Sequence, residues 1–328
     1  MPELPEVQTT VTGLTRTIVG LKIVDFWSDY NKHNTAFLRK FKSAVVGSKV
    51  VSATRRAKNV LIHLDKGAGA KRGANAHVTI LVHMKMTGHL LYGLYEFTSG
   101  RSGATNRKSL PIKDPWVPIE PEAMKDPYNR HVHFVISFSN GRQLALSDVR
   151  KFAKVALLDD TNFLESTHLK NIGPEPLEPT FTFDMFLERL VMRSRGKIKQ
   201  VLMDQTIIAG IGNIYADETL WLAGIHPAER VEDLFVQSKN STDRPRPCLA
   251  ALFKAIKSLL TKGVRLGGDS MSDYRNVDGE KGSFQSQHSA YQKTGQKCSK
   301  KGCKGTIIRI KLGGRGTHFC DKHQKLSH

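Results

Sequence analysis

The stretch Gln200-Val201-Leu202-Met203-Asp204-Gln205-Thr206-Ile207-Ile208-Ala209-Gly210-Ile211-Gly212-Asn213-Ile214-Tyr215-Ala216-Asp217-Glu218 reads as helix, two-glycine turn, helix. Gly210 and Gly212 permit close backbone approach. Asn213 stands where the second helix begins. A helix N-terminus with free N–H groups binds phosphate, and Arg195, Lys197 and Lys199 lie just upstream. An ordinary helical hairpin with Asn213 as N-cap satisfies the same pattern, so both readings stand at this point.

Working outward, the second half is helical, over about Phe183–Arg193, Lys197–Asp204, Ile214–Leu222 and Leu249–Thr261. Before it, Asn171–Pro179 holds three prolines that oppose regular structure. The first half changes period. Val7, Val11, Leu14 and Ile18 fall at helical spacing over residues 3 to about 18. Strands follow: Val50–Arg55 and Val60–Leu64 flank a basic turn, and Val78, Ile80, Val82, Met84 and Met86 alternate along another. Val132, Phe134, Ile136 and Phe138 alternate too, and Ser139-Asn140-Gly141-Arg142 turns into Leu144–Leu146. Glu96–Pro127 is polar with Gly and Pro and reads as a long loop or insertion. The fold class is α+β. The expected domains are 1–157 (insertion about 96–127), a linker over 158–180, a helical domain over 181–290 and a small unit over 291–328.

Fifty Lys and Arg against thirty Asp and Glu give 328 residues a formal charge of +20. The tail from Tyr291 alone carries +9, and Arg55, Arg56 and Lys58 form another basic cluster. Nucleic acid is the leading polyanionic partner and an anionic membrane surface the weaker one. Apolar residues are 39%, enough for packed cores and against wholesale disorder. No apolar run is long enough to span a membrane. The first residues lack a basic-then-apolar secretion signal, and four cysteines do not make a disulfide framework. The expected location is therefore cytoplasmic, nucleoid-associated if the source is bacterial.

Two further constellations carry chemistry. Cys298-x4-Cys303-x16-Cys320-x2-His323 offers four ligands in two close pairs, suited to one tetrahedral structural Zn²⁺, with His318 and His328 as rival fourth ligands. Cys248 stands alone on a helix. At the other end, Met1-Pro2-Glu3-Leu4-Pro5-Glu6 favours removal of the initiator Met. That leaves Pro2 with a secondary amine able to attack an electrophilic carbon, beside Glu3 and Glu6 as proton carriers. Pro and acids also simply favour a helix start.

These motifs together resemble the formamidopyrimidine-DNA glycosylase / endonuclease VIII family. Pro2-Glu3-Leu4-Pro5-Glu6-Val7, Arg55-Arg56-Ala57-Lys58, Met86-Thr87-Gly88, Asp148-Val149-Arg150-Lys151-Phe152, Gly173-Pro174-Glu175-Pro176-Leu177, Gly210-Ile211-Gly212-Asn213-Ile214-Tyr215 and the C-terminal cysteines occur in family order nearly end to end. The resemblance implies an N-terminal helix plus β-sandwich, a helix-two-turn-helix domain and a zinc-finger β-hairpin, with damaged double-stranded DNA bound in the cleft between the main domains. It implies that Pro2 attacks C1′ of a flipped damaged nucleotide, with Glu3 as general acid/base, Glu6 organising the site and Lys58 contacting DNA near the lesion. Lys58 as nucleophile is the runner-up. By the same resemblance, Met86, Arg150 and Phe152 fill the gap left by the flipped nucleotide, and His131, Arg195 and Asn213 contact phosphates. Arg315 is the finger arginine that reaches phosphates around the flipped site. Gly267–Tyr274 with Asp278–Phe284 resembles the loop over an oxidised purine, which favours 8-oxoguanine and formamidopyrimidines.

The chain departs from the family pattern in three places. The first cysteine pair has four intervening residues and the last ligand is a histidine. Lys151 replaces the usual Arg, and the Glu96–Pro127 stretch is longer than usual. A monomer needing no organic cofactor and no membrane is expected. Competing readings are an oxidised-pyrimidine lyase of the same family, a non-catalytic damaged-DNA-binding protein and a zinc-dependent hydrolase.

Overall fold

The computed structural model describes residues 1–30, 35–67, 77–98, 115–159, 164–236, 244–271 and 273–327. Its contacts divide the chain into two units. The first is Met1–Pro2, Glu6–Ser166 and Gly267–Gly282; the second is Glu3–Pro5, Thr167–Leu266 and Ser283–His328. The helical domain drawn from sequence over 181–290 includes residues 267–282, yet these contact the first unit. The reason is Val277, whose side chain is buried in the first unit's core and whose carbonyl accepts the Tyr92 N–H at 2.7 Å.

The first unit holds α1 (Leu4–Thr17) from Glu6 onward and β1 (Ile23–Ser28), then α2 (Thr35–Val45), β2 (Lys49–Arg56), β3 (Asn59–Asp65) and β4 (His77–His83). It continues through β5 (His89–Phe97), β6 (Trp116–Glu120), β7 (Val132–Phe138), β8 (Gln143–Ser147) and β9 (Lys154–Asp159). One sheet has the order β2-β3-β4-β9 and the other β1-β7-β8-β5-β6. Alternate strand residues turn inward, among them Val60, Ile62, Ile80 and Val82 from one sheet and Phe134, Ile136, Leu144 and Leu146 from the other. This common core makes the two sheets a sandwich. The buried stripe Val7, Val11, Leu14 and Ile18 of α1 packs on it. Phe41 of α2 joins Phe26 and Phe134 in an aromatic triangle.

Two sequence expectations need correction here. The strand carrying the Val78–Met86 alternation ends at His83. Lys85 adopts a left-handed φ of 57° and the Gly88 N–H donates to the Met84 carbonyl. The backbone therefore doubles back, leaving Met84 in the core and Met86 on an exposed turn. The stretch 96–127 is also not simply a loop. Its end forms β6, paired with β5, and a 3-10 turn over Glu122–Lys125 whose Met124 is wholly buried. Residues 99–114 lie outside the described residues.

The second unit holds α3 (Phe183–Val191), α4 (Ile198–Met203), α5 (Asn213–Ala223), a short β10 (Phe235–Val236) and β11 (Arg244–Pro245) pair, and α6 (Pro247–Arg265). It ends in the hairpin β12 (Ile307–Leu312) and β13 (Arg315–Cys320). The helices enclose a separate core around Phe186, Leu202, Tyr215 and Leu252. Half-buried Cys248 packs against it. Among the described residues no helix is long and apolar enough to cross a membrane.

Phe41 is fully buried between Phe26 and Phe134. Phe41→Ala is therefore expected to lower stability by about 3–5 kcal/mol in urea unfolding. A loss under about 1 kcal/mol would show that α2 is not part of the first unit's core.

Candidate active site and nucleic-acid interface

In the second unit, Glu3 caps α5. Gly212 N–H donates to its Oε2 at 2.6 Å, Ile214 N–H to Oε1 at 2.9 Å and Tyr215 N–H to Oε2 at 3.4 Å. The Leu4 N–H returns to the Gly210 carbonyl at 3.0 Å. Gly210 has a φ of 84°, open to glycine, and a Cβ on Gly212 would strike the Glu3 side chain. Sequence reading offered this helix N-terminus to a phosphate and its cap to Asn213. The structure fills it with Glu3, makes Asn213 the first helical residue and turns the Asn213 amide to the Gly316 carbonyl at 3.1 Å.

Pro2 and Glu6 belong to the first unit, and both are buried. Glu6 accepts the Asp269 N–H at 2.7 Å, and its backbone carbonyl accepts the Tyr274 hydroxyl at 2.8 Å. It thus organises the Gly267–Gly282 segment. Lys58 occupies the two-residue β2–β3 turn, where Ala57 has a φ of 51° and Arg55 Nη1 donates to the Ala57 carbonyl at 3.0 Å. Lys58 is 6% exposed.

Met86, Arg150 and Phe152 come together. Arg150 Nη1 lies 3.3 Å from Met86 Sδ, and its guanidinium sits 4.5 Å over the Phe152 ring. Met86 is 38% and Phe152 44% exposed, so neither is a core residue. Asp148, fully buried, holds this cluster. It accepts from the Thr87 hydroxyl, from Arg150 N–H at 3.3 Å and from Ala153 N–H at 2.7 Å. Asp148 opens the Asp148-Val149-Arg150-Lys151-Phe152 motif. An acid between strand and basic turn was the available signal. His131 lies beside it, its carbonyl accepting the Asp148 N–H at 2.8 Å.

Arg195 is exposed on the turn before α4. Arg315 is exposed at the β12–β13 tip, where Gly313 and Gly314 both take positive φ, the pairing that a tight hairpin needs. A cavity of about 210 Å³ is lined by Lys199, Gln200, Met203, Asp204, Gly313 and Arg315. Beneath it lies a buried network that sequence reading missed. Lys199 Nζ pairs with Asp217 Oδ1 at 2.7 Å and donates to Thr317 Oγ1 at 2.8 Å; Asp217 Oδ2 accepts from the His318 ring at 3.1 Å. Burial pulls the Lys199 ammonium below its ordinary value and Asp217 opposes that shift. Glu218 accepts the N–H groups of Ser289, Ala290 and Tyr291, anchoring the tail. Two acids inside an apolar helix were the signal.

Cys298, Cys303, Cys320 and His323 place one ligand atom each within 4.8 Å of one another. Cys303 and Cys320 sulfurs are 3.6 Å apart, and His323 Nδ1 is 3.4 Å from Cys298 Sγ. Tetrahedral bonds of about 2.3 Å to sulfur give edges near 3.8 Å, so this set fits a metal. His323 Nε2 donates to the Trp221 carbonyl at 3.1 Å, leaving Nδ1 as the ligand atom. His318 is engaged with Asp217, and His328 lies outside the described residues.

The fold is thus a helix-capped sandwich followed in sequence by a helix-two-turn-helix unit bearing a metal-ligand hairpin. Residues 1–155 match the family described as "Formamidopyrimidine-DNA glycosylase N-terminal domain", and residues 172–275 its "H2TH domain". A formamidopyrimidine-DNA glycosylase of Chloroflexus aggregans is 36% identical over 99% of both chains. The Lactococcus lactis Fpg in complex with abasic-site DNA is similar at a TM-score of 0.73 and 31% identity, covering 98% of this chain and 99% of that one. A variant of that enzyme with Fapy-dG DNA gives 0.75 and 31%, covering 99% and 100%. The chain belongs to the formamidopyrimidine-DNA glycosylase family.

One pH dependence follows from the burial of two histidines, His83 and His89. Burial, helped by Lys85, Lys58 and Lys154, pushes the His83 imidazole down to about 3 from 6.5, and burial pushes His89 to about 4. As pH falls below about 6.5, the unfolded chain takes up protons that the folded state refuses. Stability is complete above that pH and is lost progressively toward pH 4. The thermal midpoint is expected to fall across this window, and less steeply in His83→Gln. A flat midpoint would contradict it.

Proposed function

We propose that the protein is a bifunctional DNA glycosylase and abasic-site lyase of base excision repair, acting on oxidised purines in duplex DNA. The observation that carries this reading is Pro2 standing one peptide bond from Glu3, whose carboxylate three backbone N–H groups hold in place. Loss of Met1 exposes the Pro2 secondary amine. Its nitrogen lone pair attacks C1′ of the damaged nucleotide, the C1′–base bond breaks, and the base leaves with a proton. Glu3 protonates O4′ as the C1′–O4′ bond breaks, and the Pro2 nitrogen, having given up its proton, forms a double bond to C1′. The resulting iminium acidifies C2′. Loss of that proton expels the 3′ phosphate, and a second elimination expels the 5′ phosphate.

The target nucleotide must leave the stack to be reached. Met86 and Phe152 replace the lost stacking, and Arg150 pairs with the orphaned base. Lys58 contacts DNA near the lesion; His131, Arg195, Asn213 and Arg315 bind phosphates, a set of contacts that makes affinity salt-dependent. The segment 267–284 covers the extruded base. Relatives bound to abasic-site and Fapy-dG DNA support this substrate class.

Borohydride is expected to trap the Met1-processed protein on duplex DNA carrying 8-oxoguanine or an abasic site, and Pro2→Gly to reduce trapping severely. Intact mass confirms the processing. Undiminished trapping by Pro2→Gly would move the nucleophile to Lys58; no trapping by processed wild type would sink the lyase reading.

Cys298, Cys303, Cys320 and His323 would hold one structural Zn²⁺, which closes all four positions and leaves none for a reacting water. Metal analysis should find one zinc per chain, and His323→Ala should lower that occupancy. Full zinc retention in both His323→Ala and Cys303→Ser would exclude the assignment.

A further inference from the structure

Residues 121–129 end the connection that is longer than the family pattern, and none takes part in the chemistry proposed above. Within the first unit they are joined to the Gly267–Gly282 segment at several points. Asp126 uses both carboxylate oxygens. Oδ1 accepts the Tyr128 N–H at 2.9 Å and closes the 3-10 turn Pro127–Asn129; Oδ2 accepts from Arg275 Nη2 at 2.9 Å and Nε at 3.1 Å. Arg275 Nη1 donates to the Tyr274 carbonyl at 2.8 Å, and its guanidinium lies 5.0 Å over the Tyr128 ring. The Asn129 amide donates to the Ala123 carbonyl at 3.0 Å and the Gly279 carbonyl at 3.4 Å, while Asn129 Oδ1 meets His89 Nε2 at 2.9 Å. Gly279, with a φ of 85°, lies so close to the Ala123–Met124 backbone that a Cβ would come within 3.0 Å of it.

The segment held this way has a fixed neck and an exposed apex. Gly282 N–H donates to Ser270 Oγ at 2.9 Å, and Asp269 and Tyr274 are tied to Glu6. Met271, between those ties, is 45% exposed. Arg275 is 1% exposed. A guanidinium cannot shed its charge in a protein, so a buried one needs its counter-charge. Where Asp126 stands therefore sets where Arg275, and with it Tyr274, can stand.

We infer that Asp126 and Arg275 are positioning residues for lesion selection: their clamp, carried by the 121–129 turn, sets the Met271 apex against the extruded purine. This rests on the glycosylase reading and on the segment's role as the cover over the base. Excision of 8-oxoguanine needs that cover. Strand cleavage at a preformed abasic site, which has no base, does not.

The test compares wild type with Asp126→Asn, which keeps an acceptor for the turn but removes the charge, and with the double variant Asp126→Asn/Arg275→Met, which removes both charges and keeps bulk. Single-turnover excision of 8-oxoguanine should fall about tenfold or more in both variants, because such chemistry is sensitive to ångström-scale misplacement. Abasic-site cleavage should stay within about twofold of wild type, since it lacks the positioned base. Backbone hydrogen exchange over 269–275 should rise in both. Parallel loss of the two activities, or unchanged excision, would overturn the inference. Wild-type protein that cleaves neither substrate would overturn the glycosylase reading instead. The exchange comparison then decides by itself whether the clamp holds the loop.

Discussion

The Glu3 carboxylate on the first turn of α5 is the contact from which the candidate site is measured. A helix N-terminus carries roughly half a positive charge together with N–H groups that lack intrahelical partners. Glu3 satisfies three of those groups from outside the helix. The glycines follow from the same contact: Gly210 turns the chain so that its carbonyl meets the Leu4 N–H, and Gly212 leaves room for the Glu3 side chain.

A pattern recurs in both units: a buried charge fixes an exposed group. Asp148 organises the turns that carry Met86, Arg150 and Phe152. Lys199 and Asp217 lie under the hairpin whose tip presents Arg315, with Lys199 bonded to the Gly316 carbonyl and Thr317 hydroxyl. Buried ions are weak sources of net stability, since desolvation offsets their attraction. Their value here is geometric, because each has several partners at fixed directions and few alternative arrangements.

Much of this was legible because it was local. The α1 stripe, the β7–β8 hairpin at Asn140-Gly141 and the α4–α5 turn announce themselves through spacing and turn residues. The four candidate metal ligands were readable as two close pairs. What escaped was non-local or depended on backbone twist. The left-handed Lys85 that ejects Met86 from its strand leaves no periodic trace. Glu3 capping a helix more than two hundred residues away is invisible to a reading that looks for caps next to the helix, so Asn213 took that role on paper. Lys199 reads as surface charge until Asp217 is seen beside it. His323 could be told from His318 only by the directions of the rings, one toward the thiols and the other toward Asp217.

The His323–Trp221 contact has an optical consequence. The chain has three tryptophans, and Trp27 and Trp116 pack edge-to-face at 6.1 Å in the first unit. Trp221 is the remaining one, with its ring 5.6 Å from the His323 imidazole and its carbonyl bonded to the same ring. The indole therefore sits where the state of the ligand cluster alters its surroundings. With Trp27 and Trp116 replaced by phenylalanine, the emission of one native side chain becomes an intrinsic gauge of the finger, readable without labels and distinct from changes in the sandwich.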